Sequence, residues 1–314
     1  MHYRILGTTG MMVSRLCFGS LTIGPLQANL PLSIGAGIIT AALDAGVNFI
    51  DTAQLYDNYD YIREALLGRS EEIIVASKSY DYTYEGMQES VEQACRGIGR
   101  DYIDIFMLHE QTSRLTLKGH GDALEYLITA KQQGTIRAVG VSTHTVEVVE
   151  AAADIGEIDV IHPIFNYAGI GILGGTAMDM EAAIGKAAAS GKGIYTMKAL
   201  GGGHLSRHSL KALDWIMSKT DVHSVAVGMQ SVEEVDYNCR IFSGQPVSRE
   251  LEERVSSRQK RLLVEEWCEG CGICASKCPM QAISIDGDKA TVNSKCVLCG
   301  YCGAHCPQFC LKII

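Results

Sequence analysis

Eight cysteines near the C-terminus are spaced for metal chemistry. They fall in two copies, Cys268-x2-Cys271-x2-Cys274-x3-Cys278-Pro279 and Cys296-x2-Cys299-x2-Cys302-x3-Cys306-Pro307, offset by 28 residues (296 minus 268). Three thiolates this close together wrap one face of a cubane while the fourth reaches across to the other half, so the run specifies two [4Fe–4S] clusters. One would be held by Cys268, Cys271, Cys274 and Cys306, the other by Cys296, Cys299, Cys302 and Cys278. Small residues among the ligands (Gly270, Gly272, Gly300, Gly303) let backbone amides turn toward the sulfurs and tune their potential. Zinc also binds paired Cys-x2-Cys, but a zinc site closes with four thiolates rather than eight in two interleaved fours. Cys17, Cys95, Cys239 and Cys310 lie outside the pattern and read as small apolar side chains.

A second set of chemical residues lies upstream: Asp51, Tyr56, Lys78 and His109 each follow or end a short β-branched run. Their logic is that of an acid. A phenol titrates near pH ~10 and a nearby ammonium stabilises the phenolate, so Tyr56 can give its proton to a developing alkoxide. Asp51 would pair with Lys78 and hold it, and His109 would donate to the oxygen of a substrate carbonyl and fix its direction. A single such residue at a strand end is usually just solvated. Four in order at successive strand ends mark a site.

Bringing them together is the work of eight repeats of a β-branched run followed by a segment of helical period, from Leu16 to Phe242. Such a repeat predicts an α/β fold, a closed (β/α)8 TIM barrel whose chemistry sits at the carboxyl ends of its strands. The strands are expected at 16–19, 47–50, 72–77, 103–108, 136–141, 160–163, 193–197 and 222–227, with helices between them, among others at 84–98, 118–133 and 179–190. Gly46, Gly99, Gly134 and Gly191 stand where left-handed C-caps are needed. A doubly wound sheet is the rival, but no G-x-G-x-x-G follows the first strand. The chain therefore divides into a barrel over 1–242, a polar linker helix over 243–261 and a small α+β iron–sulfur domain over 262–314.

Composition excludes several classes. The chain has 314 residues, 47% hydrophobic and 20% charged, which suits a globular enzyme and not a disordered or fibrous chain. A formal net charge of -9 leaves no excess of cations for a nucleic-acid backbone or an anionic membrane. The first residues contain no apolar targeting core, and no run of eighteen apolar residues occurs, so neither nucleic acid nor membrane is expected as a partner and a cytoplasmic location is. Nine of the twelve cysteines lie in 262–314, a density that in a reducing compartment means metal rather than disulfides.

The upstream part resembles the aldo-keto reductase family. The likeness rests on Asn48-Phe49-Ile50-Asp51-Thr52-Ala53-Gln54-Leu55-Tyr56, on Ala76-Ser77-Lys78 and on Tyr102 through His109, which match all four members of that family's catalytic tetrad. Tyr3 to Gly10 looks like its N-terminal hairpin, Gly134 to Ser142 looks like its fifth strand, and the tail is similar to bacterial 2[4Fe–4S] ferredoxins. The resemblance implies a nicotinamide carboxamide held by Ser142, by Thr143 in place of an Asn, by His162 in place of a Gln and by Asn166, with Met197 covering the ring where the family has Tyr. Gly19, Lys198, Leu200 and Gly201 at the mouth, with Gly228 and Gln230 after the last strand, would line the rest of the dinucleotide. Counting back from Asn238 puts Glu234 where NADP-specific members carry an Arg, so NAD(H) is favoured over NADP(H).

Hydride moves two electrons at once and a [4Fe–4S] cluster one. The expected function is thus an oxidoreductase that reduces a small carbonyl or oxidises an alcohol, coupled to the clusters and through them to an external electron carrier. The alternative is an electron-transfer protein using clusters or a flavin, with a barrel that binds no nicotinamide. Because the eight ligands match one for one, the purified protein should carry eight irons and acid-labile sulfide per chain; about one zinc without sulfide would refute the assignment.

Overall fold

The computed structural model describes residues 1–257 and 260–314. Eight parallel strands close a barrel: β3 (Leu16–Gly19), β4 (Phe49–Asp51), β5 (Ile74–Ser79), β6 (Ile103–Gln111), β7 (Ile136–Thr143), β8 (Val160–Pro163), β9 (Gly193–Thr196) and β10 (Ser224–Gly228), which returns to β3. Preceding them, β1 (Tyr3–Ile5) and β2 (Met12–Ser14) form an antiparallel hairpin. Its Leu6, Met11 and Val13 are fully buried with Cys17, Phe49, Ile105 and Tyr195 in the barrel interior, so the hairpin fills one end of the bore.

Strand pleat then decides what points inward. Side chains of period two put Phe49 and Asp51 on one side of β4, Ile74, Ala76 and Lys78 on one side of β5, and Ile105, Met107 and His109 on one side of β6. The apolar members fill the interior layers. The polar members stand one layer higher, at the carboxyl ends.

Several element limits differ from expectation for local reasons. Strand β4 begins at Phe49 and reaches Asp51, and β5 runs through Lys78 to Ser79, so both residues lie within the barrel wall rather than beyond it. Tyr84–Ile98 forms one helix, α1, and the glycines at 46, 99, 134 and 191 all adopt positive φ. The helix expected over 118–133 is two helices, α2 (Arg114–Gly119), opened by a Ser113–Thr116 capping box, and α3 (Gly121–Gln133), with His120 between two glycines at the break. The linker helix, α4 (Arg249–Ser256), buries Leu251 against the barrel's outer core; residues 258 and 259 of that linker lie outside the described residues.

The tail domain pairs β11 (Leu262–Val264) with β14 (Leu311–Ile313) and β12 (Ile283–Asp286) with β13 (Lys289–Val292), around a core of Cys274, Ile283, Ala290, Cys302 and Leu311. It docks on the loop that follows β9. Ile313 N donates to Gly202 O at 3.0 Å, His204 Nε2 meets Leu311 O at 2.8 Å, and Arg207 donates to Val297 O at 2.8 Å. Gly203, at φ +88°, approaches so closely that a Cβ there would lie 2.0 Å from Ile313 O. Gly203→Ala therefore meets both a collision and a left-handed backbone costing about 1–3 kcal/mol, and should release the tail domain from the barrel. Small-angle scattering should show a larger radius of gyration at unchanged iron content; identical scattering curves would contradict the docking geometry.

Candidate active site

At the centre of the barrel mouth is a buried ion pair. Lys78, 1% exposed, places Nζ 2.8 Å from Asp51 Oδ1 and 2.9 Å from Oδ2, and donates to Thr52 O at 2.7 Å. Tyr195, from the layer beneath, donates its hydroxyl to Asp51 Oδ1 at 2.8 Å, and His162 Nε2 lies 3.6 Å from the same oxygen. Burial pushes the Asp51 carboxyl up, but the Lys78 ammonium, His162 and the Lys78 and Tyr195 hydrogen bonds outweigh it and hold it below the usual range. Asp51 is thus an anchored anion and Lys78 an oriented cation.

Tyr56 and His109 complete the group. The Lys78 ammonium lies 5.0 Å from the centroid of the Tyr56 ring, and Tyr56 meets His109 edge-on at 5.9 Å. Burial, with the Asp51 and Glu110 charges behind it, raises the Tyr56 phenol well above its ordinary value, so the proton stays on oxygen until a reaction draws it off. His109 is held neutral, its pKa pulled down to about 3 by burial and by Lys78. Its Nδ1 is buried with no hydrogen-bond partner among the described residues, and Tyr80 stacks on the ring at 4.2 Å.

A polar chain not foreseen from sequence continues outward from His109. Tyr80 donates to Glu110 Oε2 at 2.7 Å, and Glu110 Oε1 faces His144 Nε2 at 3.4 Å and Lys198 Nζ at 3.7 Å. Lys198 and His144 are 2.7 Å apart, and both pack against Phe309 of the tail domain. Glu110 occupies a left-handed conformation, φ 44°, at the register shift in β6, which turns its carboxylate to the rim. Strand alternation could have pointed to Tyr195, two residues before Met197. Nothing local marks Glu110 or Phe309.

Residues expected to hold a dinucleotide are engaged within the fold. Ser142 Oγ accepts from Glu110 N at 2.8 Å, Thr143 Oγ1 donates to Gln111 O at 2.7 Å, and His162 Nδ1 meets Tyr195 O at 2.7 Å. Asn166 clips its own loop by two bonds to Ile170, and Met197, just beyond β9, packs with Leu200 on the outer apolar cluster. Gly19 and Gly228 sit side by side where the barrel closes, and a Cβ on Gly228 would meet Thr22 at 2.2 Å. Gly201 lies between Ile170 and Leu205. Glu234 Oε2 accepts from Gln230 N at 2.7 Å, and Asn238 donates to Glu234 O at 2.8 Å.

In the tail, Cys278, Cys296, Cys299 and Cys302 line one small cavity, and Cys274 shares its surroundings with Cys268, Cys271 and Cys306. The fourth cysteine of each run therefore stands with the first three of the other. Backbone amides of Ala282, Ala290 and Cys310 donate to Cys278, Cys268 and Cys306 at 3.3, 3.4 and 3.4 Å. Soft thiolates in two fours, with amides turned on the sulfurs, fit two [4Fe–4S] clusters.

Residues 15–211 match the aldo/keto reductase family, and residues 261–307 match the 4Fe-4S dicluster domain. The chain belongs to the aldo/keto reductase family. Among curated proteins it is similar to an uncharacterized oxidoreductase of Bacillus subtilis (32% identity over 46% of this chain and 49% of that one) and to L-galactose dehydrogenase of Arabidopsis thaliana (23% over 75% and 86%). It also resembles the NADH-specific methylglyoxal reductase of Escherichia coli (26% over 51% and 58%). The chain thus spans about half the length of several relatives it matches. Among solved structures, a Pseudomonas aeruginosa chain described as an aldo-keto reductase superposes with TM-score 0.67 at 26% identity, covering 77% of this chain and 94% of that one. A holo aldo-keto reductase of Bacillus halodurans gives TM-score 0.67 at 22% identity, over 82% and 95%, a likeness of fold. This member of the aldo/keto reductase family thus carries a 4Fe-4S dicluster domain, and no helix among its described residues is long and apolar enough to cross a membrane.

Because burial holds His109 neutral down to about pH 3, its imidazole should not titrate between pH 5 and 8. Its ring resonances in NMR should stay flat through that window; a midpoint near ~6.5 would show a solvated ring and undo its role as a neutral donor.

Proposed function

We propose that this barrel interconverts a small carbonyl compound and its alcohol with Tyr56 as the proton donor and acceptor. The arrangement that carries the reading is the Lys78 ammonium, pinned by Asp51 at 2.8 Å and set 5.0 Å from the Tyr56 ring. In the reducing direction the Tyr56 hydroxyl gives its proton to the substrate oxygen, and Lys78 stabilises the phenolate left behind. Neutral His109 donates to the same oxygen and orients it. Asp51, itself held by Tyr195, keeps Lys78 in place, and in the oxidising direction the same groups take the proton back. Cys268, Cys271, Cys274 and Cys306 would hold one cluster and Cys296, Cys299, Cys302 and Cys278 the other, and when bound these would supply or accept single electrons, exchanged with an external carrier.

Two readings of the hydride partner are separable. The carboxylate of Glu234 supports NAD(H) over NADP(H), since it would face a 2′-phosphate with like charge. Loops after the seventh and eighth strands are where TIM barrels seat phosphates, yet Gly202 and Gly203 already face Phe309, Lys312 and Ile313. The docked tail thus occupies space that a dinucleotide pyrophosphate would need at that loop. This contact supports the second reading, in which the pocket works with the clusters or a flavin and without nicotinamide. Isothermal titration of anaerobically purified protein with NADH, NADPH and FMN separates the two.

Tyr56→Phe should leave fold and iron content intact while lowering turnover by about 10²–10⁴, the usual weight of one acid–base group. An unchanged rate would remove Tyr56 from the mechanism.

A further inference from the structure

Tyr80 grips two consecutive residues of β6 with two different groups. Its ring lies 4.2 Å from the His109 ring at an interplanar angle of 24°, and its hydroxyl donates to Glu110 Oε2 at 2.7 Å. Strand register brings them together, since Ser79 at the end of β5 pairs with Leu108, one residue before His109. The backbone on both sides of Tyr80 is pinned. Ser79, 1% exposed, donates to Gln54 Oε1 and Asp81 Oδ2 at 2.7 Å each, and Asp81 N returns to Ser79 Oγ at 3.1 Å. Gln54 belongs to the short turn Gln54–Tyr56, so the same bonds tie Tyr80 to the segment that presents Tyr56.

His109 has little else to orient it. Its Nδ1 is closed in and has no hydrogen-bond partner among the described residues, whereas Nε2, also unbonded to them, is not closed in. Tyr56 meets the ring only edge-on, at 5.9 Å. The torsion that turns an imidazole has broad wells, and no hydrogen bond narrows them here. A stacked ring does, at about 0.5–1.5 kcal/mol beyond its burial. In the stacked orientation a proton on Nδ1 would be a buried donor without an acceptor, costing about 1–3 kcal/mol. On Nε2 it can reach a substrate oxygen.

We propose that Tyr80 is the positioning residue for His109: its ring fixes the imidazole plane, Glu110 fixes the ring, and together they keep the Nε2 proton aimed at the substrate oxygen. Tyr80 itself transfers no proton. Burial and the Glu110 charge hold its phenol well above the ordinary value, so the hydroxyl remains a donor to Glu110. Glu110 cannot swing away, because its other oxygen faces His144 at 3.4 Å and Lys198 at 3.7 Å. The inference rests on the carbonyl reading above, in which His109 orients the reacting oxygen.

The test uses full-length, iron-loaded protein with isotope-labelled histidine, the His109 nitrogens being assigned by NMR through their loss in His109→Gln. The wild type should show one fixed tautomer, protonated at Nε2. Tyr80→Leu should draw the two nitrogen shifts toward each other as orientations and tautomers average, and Tyr80→Phe, which keeps the ring, should restore the wild-type pattern. In parallel, reduction of para-nitrobenzaldehyde is followed with NADH and with dithionite-reduced methyl viologen as electron sources. Tyr80→Leu should lower kcat by about 10-fold to 10²-fold with KM changed less than about twofold, and Tyr80→Phe should recover most of the loss. A lower melting temperature with shifts and kcat unchanged would make Tyr80 merely structural and overturn the proposal. A raised KM at unchanged kcat would also overturn it, making Tyr80 a substrate contact, as would a Phe variant no better than Leu. If Tyr80→Leu does not fold, Glu110→Ala decides, since it frees the Tyr80 hydroxyl and should move the His109 nitrogens in the same direction; unmoved nitrogens overturn the idea. A rate that Tyr56→Phe does not lower sinks the proton-donor reading itself, whereas fixed nitrogen shifts in Tyr80→Leu sink this inference alone.

Discussion

A lysine 1% exposed inside a barrel exists only because a carboxylate meets it there, and the Asp51–Lys78 pair is the constraint on which the mouth of this barrel is built. Removing one partner of such a pair strands the other charge and typically costs 3–5 kcal/mol. The pair is not isolated. Tyr195 and His162 come up from the apolar layer to the same carboxylate, so the charge is fixed from below while Tyr56 and His109 face it from above. Position is therefore set by packing, and reactivity by what packing does to charge.

The same principle governs the rim, with a different outcome. Glu110 is drawn well below the ordinary carboxylate range despite its burial, because Lys198 and His144 surround it. That arrangement depends on the tail domain, whose Phe309 closes over Lys198 and His144. Barrel and tail are thus one electrostatic unit at this point. A pocket wall contributed by an iron–sulfur domain distinguishes this chain from a barrel with a tethered electron carrier, in which the two parts would titrate and bind independently.

Glycine is what allows the approach. Gly171, Gly202 and Gly203 all adopt positive φ, and a Cβ on each would fall within 3.0 Å of Phe309 or Ile313. In the sequence Gly201-Gly202-Gly203 looks like a phosphate cradle, since glycine lets a backbone come close to whatever lies opposite. Opposite it here is the protein's own last strand. Composition signals close approach and says nothing about the identity of what approaches.

What the residue order determined was everything carried by spacing and period. The eight-fold alternation specified the barrel, the period of two along β4, β5 and β6 aligned Asp51, Lys78 and His109, and the two cysteine runs pointed to crossed groups of four cysteines. These are local rules that repeat, so a linear text records them. Tertiary structure alone decided that Tyr195 reaches Asp51 across 144 positions, that Glu110 turns outward at a bulge, and that the tail lies on Gly202 and Gly203. Such contacts depend on which surfaces meet after the barrel closes, and no periodicity in the chain encodes the partner of a single side chain.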